Sequence, residues 1–253
     1  MHDYQPSRRT SIRDFSTPAK ALARAVALLL ACGFVLSLVG CAVSDKISAP
    51  GNWAPLKPLR IDEPLNWLTP HKLSRLSGDP QLCKSVLQQA RMRYQPIPDH
   101  ETATGCGYRD AVRVLSTSVN ISAPFILSCR SAVALAMWEH HIVLPAARLH
   151  FGEPVVRLEH IGSYACRNVY GNNNASLSRH ASADALDVSG FVLKSGKRIR
   201  VERDWRKDDP TGRFLNDVRD GACRVFDGVL SPEYNEAHRD HFHLDRGGPS
   251  LCR

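Results

Sequence analysis

Three of the chain's 11 histidines fall within six residues near its C-terminal end, in His238-Arg239-Asp240-His241-Phe242-His243-Leu244-Asp245. His241 and His243 are two apart, so on an extended strand both imidazoles point to one face while Phe242 points to the other, into a core. Two imidazoles with carboxylates beside them can serve a metal ion or move a proton near neutral pH. The cluster is not a complete site, because a catalytic zinc takes three protein ligands and keeps one position open. Upstream, the stretch from Ser178 to Asp187 supplies His180 and two carboxylates, Asp184 and Asp187, among the small residues Ala181, Ala183 and Ala185. His180, Asp187 and one histidine of the cluster make a nitrogen/oxygen set of the kind that holds zinc tetrahedrally, where bound water acquires a pKa of about 7. Asp184 is an alternative ligand, though an exposed loop carboxylate is the simpler reading. Ser178 reads as a loop-capping hydroxyl, since no GxSxG elbow surrounds it. His140 and His141, adjacent on a helix, diverge by about 100° and cannot share a ligand.

The elements that must position these residues can be read from patterning. Asp79-Pro80 starts a helix, and Ala111–Leu115 reads as a strand. Ser128 caps a helix over Ala132–Trp138 that runs on through His140 and His141, with Pro145 opening a further helical segment. Val155–Ile161 alternates like a strand, and Asp187–Leu193 is another, with Ser195-Gly196 as its turn and Arg198–Val201 as the return. Apolar residues from Phe214 to Val229 follow a helical period over 213–230. Trp205 is expected in the core. The histidine cluster is placed on the last strand, and the whole reads as one α+β domain.

Composition narrows the setting. Hydrophobic and charged contents of 43% and 23% are those of a soluble globular domain. The formal charge of +8 favours anionic partners. No helix-turn-helix, zinc-finger or RNA-binding signature is present, so nucleic acid is not the expected partner. Residues 1–24 are basic, and an uncharged apolar run from Ala25 to Gly40 follows. That run is short for a membrane span and right for a signal peptide. It ends in Leu38-Val39-Gly40-Cys41, which resembles the bacterial lipobox, so Cys41 is expected to be lipidated; an uncleaved N-terminal anchor is the alternative. Either way the expected location is the cell envelope, exported and membrane-anchored, as a periplasmic lipoprotein. Loss of residues 1–40 removes five positive and two negative charges and leaves about +5. Residues 42–70, punctuated by five prolines, read as a semi-rigid tether, with the domain spanning 71–253. Six cysteines, from Cys83 to Cys252, remain in an exported chain without a CxxC pair, which points to disulfides. Fifteen pairings exist for six cysteines; Cys83–Cys106 and Cys166–Cys223 are preferred.

Ser178-x-His180-x-x-Ala183-x-Ala185-x-Asp187 resembles the SxHxxGxAxD motif of the zinc D-Ala-D-Ala carboxypeptidase and dipeptidase superfamily, with Ala183 in place of the glycine. His238-x-Asp240-His241-Phe242-His243 is similar to the HxDHFH run of penicillin-insensitive murein endopeptidases. The region from about Cys83 to Cys252 resembles the bacterial extensin-like C-terminal domain family. The resemblance implies a Hedgehog/DD-peptidase-like α+β fold, a small antiparallel sheet carrying the zinc site and flanked by helices. It implies His180, Asp187 and His243 as zinc ligands and His241 as the catalytic base, with Asp240 competing for that role. Arg167 takes the place of an SGYRS-like segment's arginine, polarising the scissile carbonyl or holding a substrate carboxylate, although Ala165-Cys166 departs from that pattern. His238 and Asp245 would orient neighbouring imidazoles. The implied activity is zinc-dependent hydrolysis of peptidoglycan stems or cross-links; the alternatives are a non-catalytic wall-binding or scaffold protein, and a zinc enzyme acting on another amide or ester.

Overall fold

A computed structural model describes residues 57–253. The expected signal segment, Cys41 and the first part of the expected tether lie outside the described residues. Twelve strands are present among them: β1 Arg93–Pro96, β2 His100–Glu101, β3 Gly107–Tyr108, β4 Ala111–Ser116, β5 Asn120–Ile121, β6 Phe125–Ser128, β7 Val155–Gly162, β8 Ala185–Leu193, β9 Arg198–Arg200, β10 Gly228–Leu230, β11 Phe242–Asp245 and β12 Leu251–Cys252. The helices are α1 Thr69–Arg75, α2 Pro80–Leu87, α3 Cys129–Trp138, α4 Leu144–Phe151, α5 Val201–Asp204 and α6 Pro210–Ala222. The fold is therefore mixed α+β with small, largely antiparallel sheets, as the patterning implied.

The largest sheet runs β12-β10-β11-β8-β7-β5, with β9 paired to β8. Strand β8 is buried along almost its whole length, and β7, β11 and β9 all pair with it antiparallel. Its Ser195-Gly196 turn works because Gly196 has a φ of +88°, a region open to glycine at no steric cost.

Local chemistry sets the helix starts. The Asp79 side chain accepts from Leu82 N at 2.9 Å, and Asp209 accepts from Thr211 N and Gly212 N at 2.8 and 3.0 Å. Each of these caps precedes a proline whose fixed φ suits the first turn. Between α3 and α4 the helix continues through a π segment, Glu139–Val143. The core closes over it with Trp138, Phe191 and Phe214 fully buried, and Trp138 Nε1 donates to the Val218 carbonyl at 2.8 Å.

Four expectations are corrected. The helical period over 213–230 is only half a helix: α6 ends at Ala222, and Val225, Phe226 and Val229 fill the same core from a turn and from β10. Burial alone sets the apolar character of those positions, and a helix, a turn and a strand can all supply it. The disulfides join Cys83 to Cys129, Cys106 to Cys166 and Cys223 to Cys252, with Cα separations of 6.1, 5.5 and 5.9 Å, not the preferred pairs. Each bridge links segments brought together by the fold rather than by proximity in sequence. The tether ends earlier than Pro70, because Leu59, Ile61 and Leu68 are buried and Glu63 forms a buried ion pair with Lys72 at 2.5 Å. Proline spacing excluded regular structure there, but an irregular segment can still pack. Finally, the last strand is β12, so the histidine cluster enters the sheet one strand inward.

Glu139 yields a prediction about pH. It is buried in the π segment, where burial pushes its carboxyl from 4.5 up to about 7 despite hydrogen bonds from Ser118. The unfolded chain ionises it more readily, so raising the pH through this window weakens folding by roughly 3 kcal/mol. The stability gap between Glu139→Gln and the wild type should therefore shift in favour of the variant between about pH 5 and about pH 8, measured by urea unfolding. Parallel pH profiles would refute this.

Candidate metal centre

The site is built by strand register. In the β8·β11 ladder His243 lies directly opposite Asp187, while the flanking pairs Phe242↔Val188 and Leu244↔Leu186 turn into the core. Cross-strand partners share a face with their Cβ atoms about 5 Å apart, so the histidine and the carboxylate meet without any loop being ordered to bring them together. Phe242 packs edge-on against Trp205 at 5.4 Å, which anchors the apolar side and confirms Trp205 as a core residue.

His180 arrives from a different element, the 3-10 turn Arg179–Ser182 that leads into β8. Ser178 caps this turn by accepting from His180 N at 3.3 Å. The turn closes at Ala183 with φ +54° and ψ +29°, the left-handed conformation that glycine adopts more easily. This explains why a glycine suits that position of the motif and shows that alanine can still fill it.

Three ligand atoms converge. His180 Nε2 is 3.1 Å from Asp187 Oδ2 and 3.2 Å from His243 Nδ1, and His243 Nδ1 is 2.9 Å from Asp187 Oδ1. All lie within 4.8 Å of one another, and all three residues are buried. The outer nitrogens of both rings face acceptors: His180 Nδ1 the Ser163 carbonyl, and His243 Nε2 the Asp245 carboxylate at 3.1 Å. A carbonyl can only accept, so His180 donates from Nδ1, which leaves Nε2 aimed at the Asp187 carboxylate, where either a proton or a cation can sit between them. Ring nitrogens tied outward to oxygen acceptors are also what metal-ligating histidines show. The residues present therefore fit a divalent cation.

The electrostatics agree. Burial would raise the Asp187 carboxyl, but His180 and His243 hold it well below the usual range. Burial likewise opposes the charge on His243, yet Asp187 and Asp245 raise it to about 9. Without a metal, the proton on His243 supplies part of the missing positive charge.

The other sequence candidates fall around this triad. His241 Nε2 lies 3.5 Å from Asp187 Oδ1, and its Nδ1 is 2.8 Å from Asp240 Oδ1. Arg167 is exposed on the wall of the adjoining cleft, whose volume is about 310 Å3. His238 is buried, with Nδ1 2.7 Å from Asn235 Oδ1; burial and the neighbouring His241 and His243 lower it to about 4. Asp184 corrects the sequence reading: it is neither an exposed loop carboxylate nor a ligand. Its carboxylate accepts from Arg130 at 2.8 and 2.6 Å, from Ser128 Oγ at 2.6 Å and from Ser182 Oγ at 2.8 Å. It clamps the His180 turn onto α3.

Several contributors carried no sequence signal. Arg179, half-buried beside His180, lines the cleft together with Tyr170 and Tyr234. Tyr170 stands at φ +55°, and its hydroxyl accepts from Asn235 Nδ2 at 2.7 Å. Gly228, paired with Asp245 across β10·β11, leaves room for that carboxylate; a Cβ there would collide with it.

A largely antiparallel α+β domain carrying a buried His/Asp/His cluster able to hold a cation is the class of protein that this geometry defines. The model of the extensin-like protein C-terminus matches residues 81–253, and the chain belongs to that family. Comparison with curated proteins and with solved structures returned no match.

Two outcomes test the centre. Because His243 is protonated below about pH 9, cation binding must expel its Nδ1 proton. Calorimetric titration of the metal-free protein with Zn2+ near pH 7 should release about one proton, seen as buffer-dependent heat, and release should fade above about pH 9. Buffer-independent heat would contradict the assignment. Gly228→Ala should displace Asp245 and weaken Zn2+ binding by about 10–100-fold in a folded protein, and unchanged affinity would show that Asp245 does not orient His243.

Proposed function

We propose that the protein is an envelope-anchored, zinc-dependent peptidase acting on the peptide stems or cross-links of peptidoglycan, on a fold related to the zinc D-Ala-D-Ala peptidases. One observation carries the reading: a buried His180/Asp187/His243 donor set with an independently oriented imidazole, His241, beside it at the edge of an open cleft. Zinc held by that set would supply a water that ionises near neutral pH and a Lewis acid for an amide carbonyl.

The chain's own residues divide the remaining work. Asp240 can only accept when ionised, so the His241 proton sits on Nδ1 and its Nε2 lone pair faces the triad. That orientation suits His241 to take the proton from the attacking water and deliver it to the leaving amine. In this reading Asp240 acts as the positioning group and His241 as the base. Arg167 on the cleft wall can bind a substrate carboxylate or polarise the carbonyl, and Arg179 stands ready for the same task. Three disulfides support an oxidising compartment outside the cytoplasm, consistent with export and a lipid anchor at Cys41. Substrate carboxylates of the wall suit the basic chain.

The purified protein loaded with zinc should release or shorten peptides from sacculi, identified by mass spectrometry. At equal zinc occupancy His241→Ala should lose about 10²–10⁴-fold in turnover, and Asp240→Asn roughly tenfold or more. An active His241→Ala would overturn its role as base. Zinc-loaded protein that binds sacculi but releases nothing would favour the wall-binding reading instead.

A further inference from the structure

A second cavity, of about 450 Å3, lies apart from the histidine cleft and shares no lining residue with it. Its size is that of a small-molecule site. Four segments build it: Arg60–Asp62 at the start of the described chain, Gln89–Met92 after α2, Ser118 after β4, and the stretch from Ala136 through the π segment to Arg148. Segments so far apart in sequence meet here because the chain before α1 packs onto the π segment, where His141 Nε2 lies 2.8 Å from the Ile61 carbonyl.

The charges of this cavity are unbalanced. Arg60 is neutralised by Asp62 through two contacts of 3.0 Å. Arg91 and Arg148 have no hydrogen bond or ion pair among the described residues. The other carboxyl group in the wall belongs to Glu139, which is buried: its Oε2 accepts from Ser118 N at 3.1 Å and from Ser118 Oγ at 2.5 Å, whereas its Oε1 has no partner. A buried carboxyl oxygen without a donor is uncommon in a finished core and calls for a role. Burial pushes Glu139 up to about 7, so near neutral pH it carries only part of a negative charge, and below that it faces an anion largely as an uncharged acid. A π segment, which interrupts the regular helix to place Glu139 and His140 in this wall, is itself a frequent companion of ligand sites.

We infer that this cavity binds a phosphate monoester, its dianion held between Arg91 and Arg148. Two uncompensated guanidiniums match the two charges of a monoester near neutral pH, and the planar donors of arginine suit its oxygens. A single carboxylate would leave one guanidinium unanswered. The ester can be a free metabolite or a lipid headgroup; the chemistry recognised is the same, and the site stands independently of the proposed peptidase activity.

The test is calorimetric titration of the full chain in detergent micelles, with EDTA present so that phosphate held by a metal at the histidine centre does not contribute. The probes are glycerol 3-phosphate, acetate and soluble dihexanoyl phosphatidic acid. Glycerol 3-phosphate should bind at about one site per chain, and acetate about tenfold more weakly or worse. Arg91→Glu and Arg148→Glu, both at exposed positions, should each lower phosphate affinity by about tenfold or more while melting like the wild type. His180→Ala should bind glycerol 3-phosphate as the wild type does. Equal affinity for the two phosphate probes assigns the site to free esters, whereas tighter binding of dihexanoyl phosphatidic acid assigns it to a headgroup. Absence of phosphate binding, equal affinity for acetate, or indifference to both arginine variants would overturn the inference.

Discussion

The register of β8 against β11 is the constraint on which everything else rests. It sets His243 opposite Asp187 and sends Phe242 and Leu244 into the core. A slip of one residue would exchange the two faces, placing Phe242 at the carboxylate and burying the imidazole among apolar side chains. The core therefore enforces the site: Phe242 and Leu244 are almost fully buried, and neither can leave without a loss of roughly 2–3 kcal/mol of apolar burial. A buried cluster of imidazoles and carboxylates is thus braced by hydrophobic packing on the reverse side of the same two strands.

Around this pair, each functional group is fixed from behind. Asp245 holds His243, the Ser163 carbonyl holds His180, and Asp240 holds His241. The pairing of β7 with β8 becomes irregular toward Gly162, and this frees Ser163 to turn toward His180. Cys166, three residues on, is bridged to Cys106, which ties the same segment to the rim of the domain. Asp184 and Arg130 fasten the His180 turn to α3, whose first residue, Cys129, is bridged to Cys83 in α2. Two disulfides therefore support the two loops that the strand ladder does not reach.

Local interactions are the ones that could be read from the sequence. The alternation His241-Phe242-His243 has the period of a strand, and the structure keeps both imidazoles on the Asp187 side and the phenyl ring in the core. Ser178 as a cap and the Ser195-Gly196 turn were legible for the same reason. Asp184 was not, because its three partners come from α3, the end of β6 and its own turn, a convergence with no sequence period. Gly228 and Ser163 contribute only room and a backbone carbonyl, which leave no mark on residue type. The helical period past Ala222 misled because Val225, Phe226 and Val229 face the same core from another backbone conformation, and Pro58 and Pro64 misled because prolines that discourage regular structure do not prevent packing by Leu59, Ile61 and Leu68. The disulfide pairs depend wholly on tertiary contact.

The proposed zinc centre depends on His180, Asp187 and His243 acting together. X-ray absorption at the zinc edge, on protein reconstituted with one equivalent, tests it most directly. Nitrogen and oxygen scatterers only are expected, at about 2.0–2.2 Å, with two imidazole signatures that fall to one in His243→Ala. A first shell containing sulfur near 2.3 Å, or a spectrum unchanged by His243→Ala, would contradict it.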